Sequence, residues 1–204
     1  MLERLRNSIN QTWPSHPPTF TEANIPPGSE KGRIFIVTGG NAGIGYELCK
    51  ILYASGATIY MASRTQVSPA IFLAFIHILI IFKHQAKAEA AIKPITSASS
   101  TLKTDGKLKF LPLDLNDLLS VKAAAATFAS QESKLDVLWN NAGQGPNCVK
   151  PGQRTVQGFE PMIGMHYIAT LLFTGLLLPQ LQKAAAEGEK GRTRVVWTSS
   201  GMAE

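Results

Sequence analysis

Thr38-Gly39-Gly40-Asn41-Ala42-Gly43-Ile44-Gly45 spaces three glycines as GxxxGxG between an apolar run and an amphipathic one. Glycine allows a tight turn, lets backbone N–H groups approach a pyrophosphate, and permits close packing of a helix on a strand. The helix N-terminus adds partial positive charge. Such a turn cradles phosphate only if a strand precedes it and a helix follows; otherwise the same residues make a structural bend. Metal chemistry has no comparable pattern. Cys49 lies in an apolar helical stretch and Cys148 in a Gly/Pro/Asn loop, and His77 and His84 have no carboxylates or thiols at ligand spacing.

The surrounding chain supplies the strand and the helix. Ile34-Phe35-Ile36-Val37 is a short continuous apolar run, as in a strand covered on both faces. After the glycines, Ile44, Leu48, Ile51, Leu52 and Ala54 recur at helical spacing up to Gly56. The pattern then predicts strands at Ala57–Ala62, Leu108–Leu111, Leu135–Trp139 and Arg194–Trp197. Helices are expected at Ala86–Ala98, at Leu118–Gln131 with Asn116 or Asp117 as N-cap, and from about Gly158 to Ala186. Strands alternating with helices imply right-handed crossovers and an α/β fold, a doubly wound parallel sheet of about five strands. Ligands of such sheets bind beyond the carboxyl ends of the strands, where every suggestive residue set in this sequence lies.

Composition narrows the function classes. Hydrophobic residues at 45% and charged residues at 17% describe a globular protein with a substantial core. The net charge of +6 comes from scattered lysines and arginines, which argues against a nucleic-acid partner. No signal-peptide pattern opens the sequence and the cysteines show no disulfide framework, so a reduced, cytoplasmic location is expected. Residues 1–31, rich in Pro, Ser, Thr and Asn, read as an extended arm before an incomplete dinucleotide-binding domain over 32–204.

The TGGNAGIG turn, the Asn140-Asn141-Ala142-Gly143 sequence and Val195-Val196-Trp197-Thr198-Ser199-Ser200 together resemble the short-chain dehydrogenase/reductase family. The resemblance runs from about Gly32 to the last residue and implies a Rossmann-type doubly wound parallel sheet with strand order 3-2-1-4-5. The Ser/Pro-rich arm and the helix text TGLLLPQL resemble its fungal branch. The resemblance implies that Thr38, Gly39, Asn41, Gly43, Ile44 and Gly45 border the pyrophosphate and its ribose. Asp114 and Leu115 would contact adenine, and Asn140, Ala142 and Gly143 would line the adenosine side and support the central strand. Arg64 matches the base of NADP-preferring members. A guanidinium suits a 2′-phosphate through bidentate, charge-assisted bonds, whereas NAD binding would favour a carboxylate at this strand end; the bland alternative is a solvated arginine. NADP is therefore the expected cofactor, ahead of NAD. Ser200 matches the catalytic serine that holds a substrate carbonyl or hydroxyl.

Three departures qualify that picture. The family's Tyr-x-x-x-Lys pair lies beyond the serine, and only Gly201 to Glu204 follow Ser200. Tyr46, Tyr53, Tyr60 and Tyr167 all precede it and stand in the wrong elements. Without that pair, hydride transfer between nicotinamide and a carbonyl or alcohol substrate is expected to fail, since a phenol of pKa ~10 needs a cationic neighbour to act as a base at neutral pH. The helix that forms the family's dimer face would also be missing, and the fifth strand would be left as an aggregation-prone edge. Next, His166 stands where the family's long helix presents an asparagine. Finally, the apolar stretch Val67 to Gln85 interrupts a strand-to-helix joint; deleting it restores ordinary family sequence, as a translated intron would. Its apolar core, Ile71 to Phe82, is shorter than the roughly 20 residues of a membrane span, and as a genuine insertion it would dock on a membrane or partner. A non-catalytic dinucleotide sensor or scaffold, or a product without a role, are the rival readings.

Overall fold

The computed structural model describes residues 21, 24–64 and 105–199. The insertion at 67–85, the expected helix at Ala86–Ala98 and Ser200 lie outside the described residues. Five strands form one parallel sheet: β1 (Ile34–Thr38), β2 (Thr58–Ser63), β3 (Lys107–Pro112), β4 (Val137–Asn140) and β5 (Arg194–Trp197). Their order is β3-β2-β1-β4-β5, as the family resemblance implies. Strand boundaries differ from the apolar runs by a residue or two, the usual uncertainty at element ends.

Period-two alternation along the strands divides the core between two faces. Phe35, Val37, Ile59, Met61 and Val137 point to one face, where α1 (Gly43–Ala54) contributes Cys49 and Leu52. Ile36, Tyr60, Leu111 and Leu138 point to the other, against α2 (Leu118–Gln131) and a bent pair, α3 (Pro161–Leu176) and α4 (Leu178–Glu187). Phe128 of α2 and Phe173 of α3 are fully buried there. Asp117 is the N-cap of α2, its side chain accepting from Leu119 N–H at 3.0 Å.

The single long helix expected over Gly158–Ala186 is instead two helices bent by 53° at Leu177. Pro179 explains the break: it has no N–H for the Gly175 carbonyl four residues back, and its ring crowds that carbonyl. The start moves to Pro161 because Gly158 adopts φ +87° and Glu160 caps the helix, accepting from Ile163 N–H at 2.9 Å. Among the described residues no single helix is long and apolar enough to cross a membrane.

The described end of the arm, from Asn24, runs through turns rather than extended chain. Glu30 N–H donates to Ser55 O at the end of α1 (3.0 Å), and the Glu30 carboxylate pairs with Arg33 and, at 3.2 Å, with Arg192. The Asp136 carboxylate accepts Ile34 N–H at 2.8 Å. These ties lie at the amino ends of the strands and leave the carboxyl ends open.

Candidate functional site: a cleft at the carboxyl ends of the strands

All five strands end at one edge of the sheet because all run parallel, and the residues just past those ends line a cleft of about 530 Å³. Gly39 and Asn41–Ile44 follow β1, and Ala62–Arg64 close β2. Leu113 and Leu115 follow β3, Asn141–Gln144 follow β4, and Thr198 follows β5. Met165 and His166 complete the wall from α3. The strand order reverses between β1 and β4, the point at which doubly wound sheets open a crevice.

The glycine turn is built for close approach. Gly39 has φ +68°, and a Cβ on it would lie 3.1 Å from Ala142 Cα. A Cβ on Gly45 would lie 2.5 Å from Gly39 O and 2.7 Å from Asn141 Nδ2, so only glycine lets α1 start this near the strand ends. Gly43 has φ +56° and open space where a Cβ would stand. The N-cap of α1 is Ala42, which offers no capping side chain, and no acidic residue stands in the first turn. The first-turn amides of a helix have no intrahelical acceptors, so an uncapped, solvent-facing N-terminus of this kind is chemically suited to an anion.

Thr38 and Gly45, expected as cofactor contacts, do not line the cleft; they shape it. Thr38 is 1% exposed, and its hydroxyl accepts N–H bonds from Asn141 and Ala142, both at 2.9 Å, so one oxygen ties the β1 turn to the β4 turn. Asn140 is likewise buried; its Nδ2 donates to Thr174 Oγ1 of α3 at 3.1 Å, fixing the β4 end to the helix layer. Asp114 is also off the cleft wall. Its carboxylate accepts Asn116 N–H at 2.9 Å in the turn before α2, while its neighbours Leu113 and Leu115 face the cleft. Gly39, Asn41, Gly43, Ile44, Arg64, Leu115, Ala142 and Gly143 share the cleft wall.

Several lining residues escaped the sequence reading. Asn141 is the most consequential: its Nδ2 donates to Thr38 O at 3.1 Å and its Oδ1 accepts from Thr198 Oγ1 at 3.4 Å, bridging three strand ends. Its doubling with Asn140 was the available signal. Ser63, Gln144, Met165 and Thr198 could have been found only from their adjacency to strand ends.

The electrostatics of the cleft are simple. Among the described residues no carboxylate lines it, and the ionisable side chains on its wall are Arg64 and His166. Arg64 is exposed and has no carboxylate partner among the described residues. Ile44, 74% exposed at the first turn of α1, offers apolar surface beside the anion-binding amides.

A tyrosine–lysine contact does exist, but elsewhere. Tyr60 lies against Phe128 on the α2 face of the sheet, and its hydroxyl contacts Lys109 Nζ (2.8 Å) and Glu132 Oε1 (2.7 Å). Burial, reinforced by the Glu132 carboxylate, pushes the phenol up to about 12, away from the value a general base requires. This cluster braces β2 and β3 against the end of α2 and supplies no acid–base pair to the cleft. Tyr167 is 71% exposed on α3 and outside the cleft wall. Among the described residues no group of His, Cys, Asp and Glu is arranged to hold a metal ion.

Comparison with known proteins agrees with this architecture. The family model described as short chain dehydrogenase matches residues 75–204. The short-chain dehydrogenase/reductase iacJ of Pestalotiopsis fici is 49% identical over 183 residues, covering 90% of this chain and 50% of that protein. A short-chain dehydrogenase/reductase of Phomopsis amygdali is 40% identical, covering 96% of this chain and 51% of that one. The chain thus spans about half the length of these curated relatives. Among solved structures, Escherichia coli yciK, described as an oxidoreductase, superposes with TM-score 0.60 at 23% identity, over 85% of this chain and 60% of that one. The Pseudomonas aeruginosa RhlG/NADP active-site complex superposes with TM-score 0.56 at 24% identity, over 86% and 57%. At these identities the structural likeness establishes the fold.

Proposed function

The chain belongs to the short-chain dehydrogenase/reductase family, and on that premise we propose that its cleft binds NADP(H) in preference to NAD(H). The reaction served by such a site is hydride transfer between nicotinamide and the carbonyl or alcohol of a small molecule. One observation carries the reading: among the described residues, an uncapped helix N-terminus and an arginine without a carboxylate partner face a cleft lined by no carboxylate. That donor set fits a linked diphosphate with a further phosphate at one end. The backbone amides of Asn41 to Ile44 would hold the pyrophosphate, Arg64 the 2′-phosphate, and Leu113 and Leu115 the flat face of adenine. When bound, the dinucleotide supplies the hydride-transferring ring; the chain's own residues bind it and orient it.

Ser200 would hold the substrate oxygen by hydrogen bonding, as the family resemblance implies. The Tyr60–Lys109 contact lies off the cleft wall and its phenol is made less acidic, so it supplies no acid–base pair there. A non-catalytic dinucleotide sensor or scaffold is the second reading, which NADP(H) binding without turnover in a stable, monodisperse protein would favour. A cytoplasmic location belongs to the same proposal, supported by the free thiols of buried Cys49 and exposed Cys148.

The test is calorimetric titration of the purified chain with NADP⁺ and NAD⁺. NADP⁺ is expected to bind more tightly by roughly 10–100-fold, the worth of charge-assisted bonds from one arginine, and Arg64→Ala is expected to remove that preference. Equal affinities in the unaltered chain would contradict the cofactor assignment.

A further inference from the structure

The outer end of the Asn141–Gln144 turn has a fastening unlike the rest. Thr38 Oγ1 accepts from Asn141 and Ala142, but Gln144 N–H, at the far end, donates to His166 Nε2 at 3.2 Å. Gly143 lies against the same ring, so close that a Cβ there would stand 3.7 Å from Nε2. His166 reaches the turn because α3 winds in π turns over Gly164–Ala169, a local insertion within the helix that re-aims the side chains it carries. Thr170 Oγ1, donating to Met165 O at 2.8 Å, holds that irregular backbone in place. An imidazole accepts at Nε2 only while that nitrogen keeps its lone pair, which puts the ring proton on Nδ1. A second proton turns the acceptor into a donor facing the Gln144 N–H.

Building on the assignment of the cleft to a dinucleotide, we propose that His166 is its positioning residue: the neutral ring latches the Asn141–Gln144 turn, and protonation releases it and weakens binding. The charged neighbours do not duplicate this switch. The turn itself brings no titratable group. On the helix's own side, Glu160 is held below the ordinary carboxylate range by the backbone N–H groups of Ile163 and Met162, with smaller effects from Arg154 and His166. Arg154 precedes the helix and Arg64 stands elsewhere on the cleft wall, and arginines keep their charge throughout.

The test separates the latch from the cofactor assignment and from the ligand's own titration, because a 2′-phosphate also gains a proton near pH 6. Amide protection at Gln144, measured by hydrogen exchange on the full ligand-free chain at pH 8 and pH 5.5, reads the latch directly. NADP⁺ affinity is measured at both pH values in the unaltered chain and in His166→Asn, whose amide oxygen can accept the same N–H without titrating. The expected result is loss of Gln144 protection at pH 5.5 and a fall in affinity about tenfold steeper in the unaltered chain than in His166→Asn. Unchanged Gln144 protection, or identical pH slopes in the two proteins, would overturn the proposal. If the variant does not fold, the Gln144 measurement on the unaltered chain decides alone. Pronounced pH dependence at Gln144 with no NADP⁺ binding at pH 8 would sink the cofactor assignment and leave the latch standing.

Discussion

Thr38 shows how much of a binding site can hang on one buried oxygen. Its hydroxyl is the acceptor for two backbone N–H groups of the neighbouring turn, so Thr38→Val, which keeps the shape, leaves both without that partner. Urea unfolding should show a loss of about 1–3 kcal/mol, and Thr38→Ser should restore most of it. Gly45→Ala acts differently. Its methyl would meet the Gly39 carbonyl at 2.5 Å, so α1 must back away from the strand ends and carry its first-turn amides with it. A folded Gly45→Ala chain should lose NADP⁺ affinity by about tenfold or more in the same titration. Residues whose reason is steric, such as Gly39 and Gly45, could be read from spacing because only glycine solves that problem. Thr38, Asn140 and Asp114 lie off the cleft wall and hydrogen-bond within the scaffold, the supporting role the resemblance already implied for Asn140. A sequence shows that a polar residue sits at a strand end, but not whether its side chain turns outward or back into the scaffold. Asn141 went unread for the same reason.

At the scale of elements, the Tyr60–Lys109–Glu132 cluster couples two strands to the end of α2. Burial acts to raise the Glu132 carboxyl, but hydrogen bonds from Lys109 and Tyr60 outweigh it and hold the group below its ordinary value. A folded-state value lowered in this way contributes stability above the unfolded carboxyl's ~4.3, and that contribution disappears as pH falls through the folded value. Lys109 has the opposite sign: raised overall despite burial, its contribution is present at neutral pH and is lost only as pH rises past the usual lysine range. Glu132→Gln should therefore be less stable than the unaltered chain at pH 7, and the gap should narrow as pH drops below about 4 in urea melts. A constant gap would remove the ionic part of this account. Element types were legible because apolar periodicity is set by burial. The bend at Leu177 was missed because the apolar pattern of α3 continues into α4 without a pause, although Pro179 stood in plain view.

For the whole molecule, parallel order brings every strand end to one edge, and that placement assembles a cleft from residues as distant in sequence as Gly39 and Thr198. The alternation of strand and helix made the parallel sheet legible, while the order came with the family resemblance. At one end of that order β5 pairs with β4 and carries Trp197 at 48% exposure. The central claim is that backbone amides between Thr38 and Gly45 receive the linked phosphates of a dinucleotide. Titrating ¹⁵N-labelled chain with NADP⁺ and following its amide resonances tests this most directly. The account predicts that the largest shifts fall on Asn41 to Gly45 and Arg64. A folded chain whose amides there do not respond to saturating NADP⁺ would contradict it.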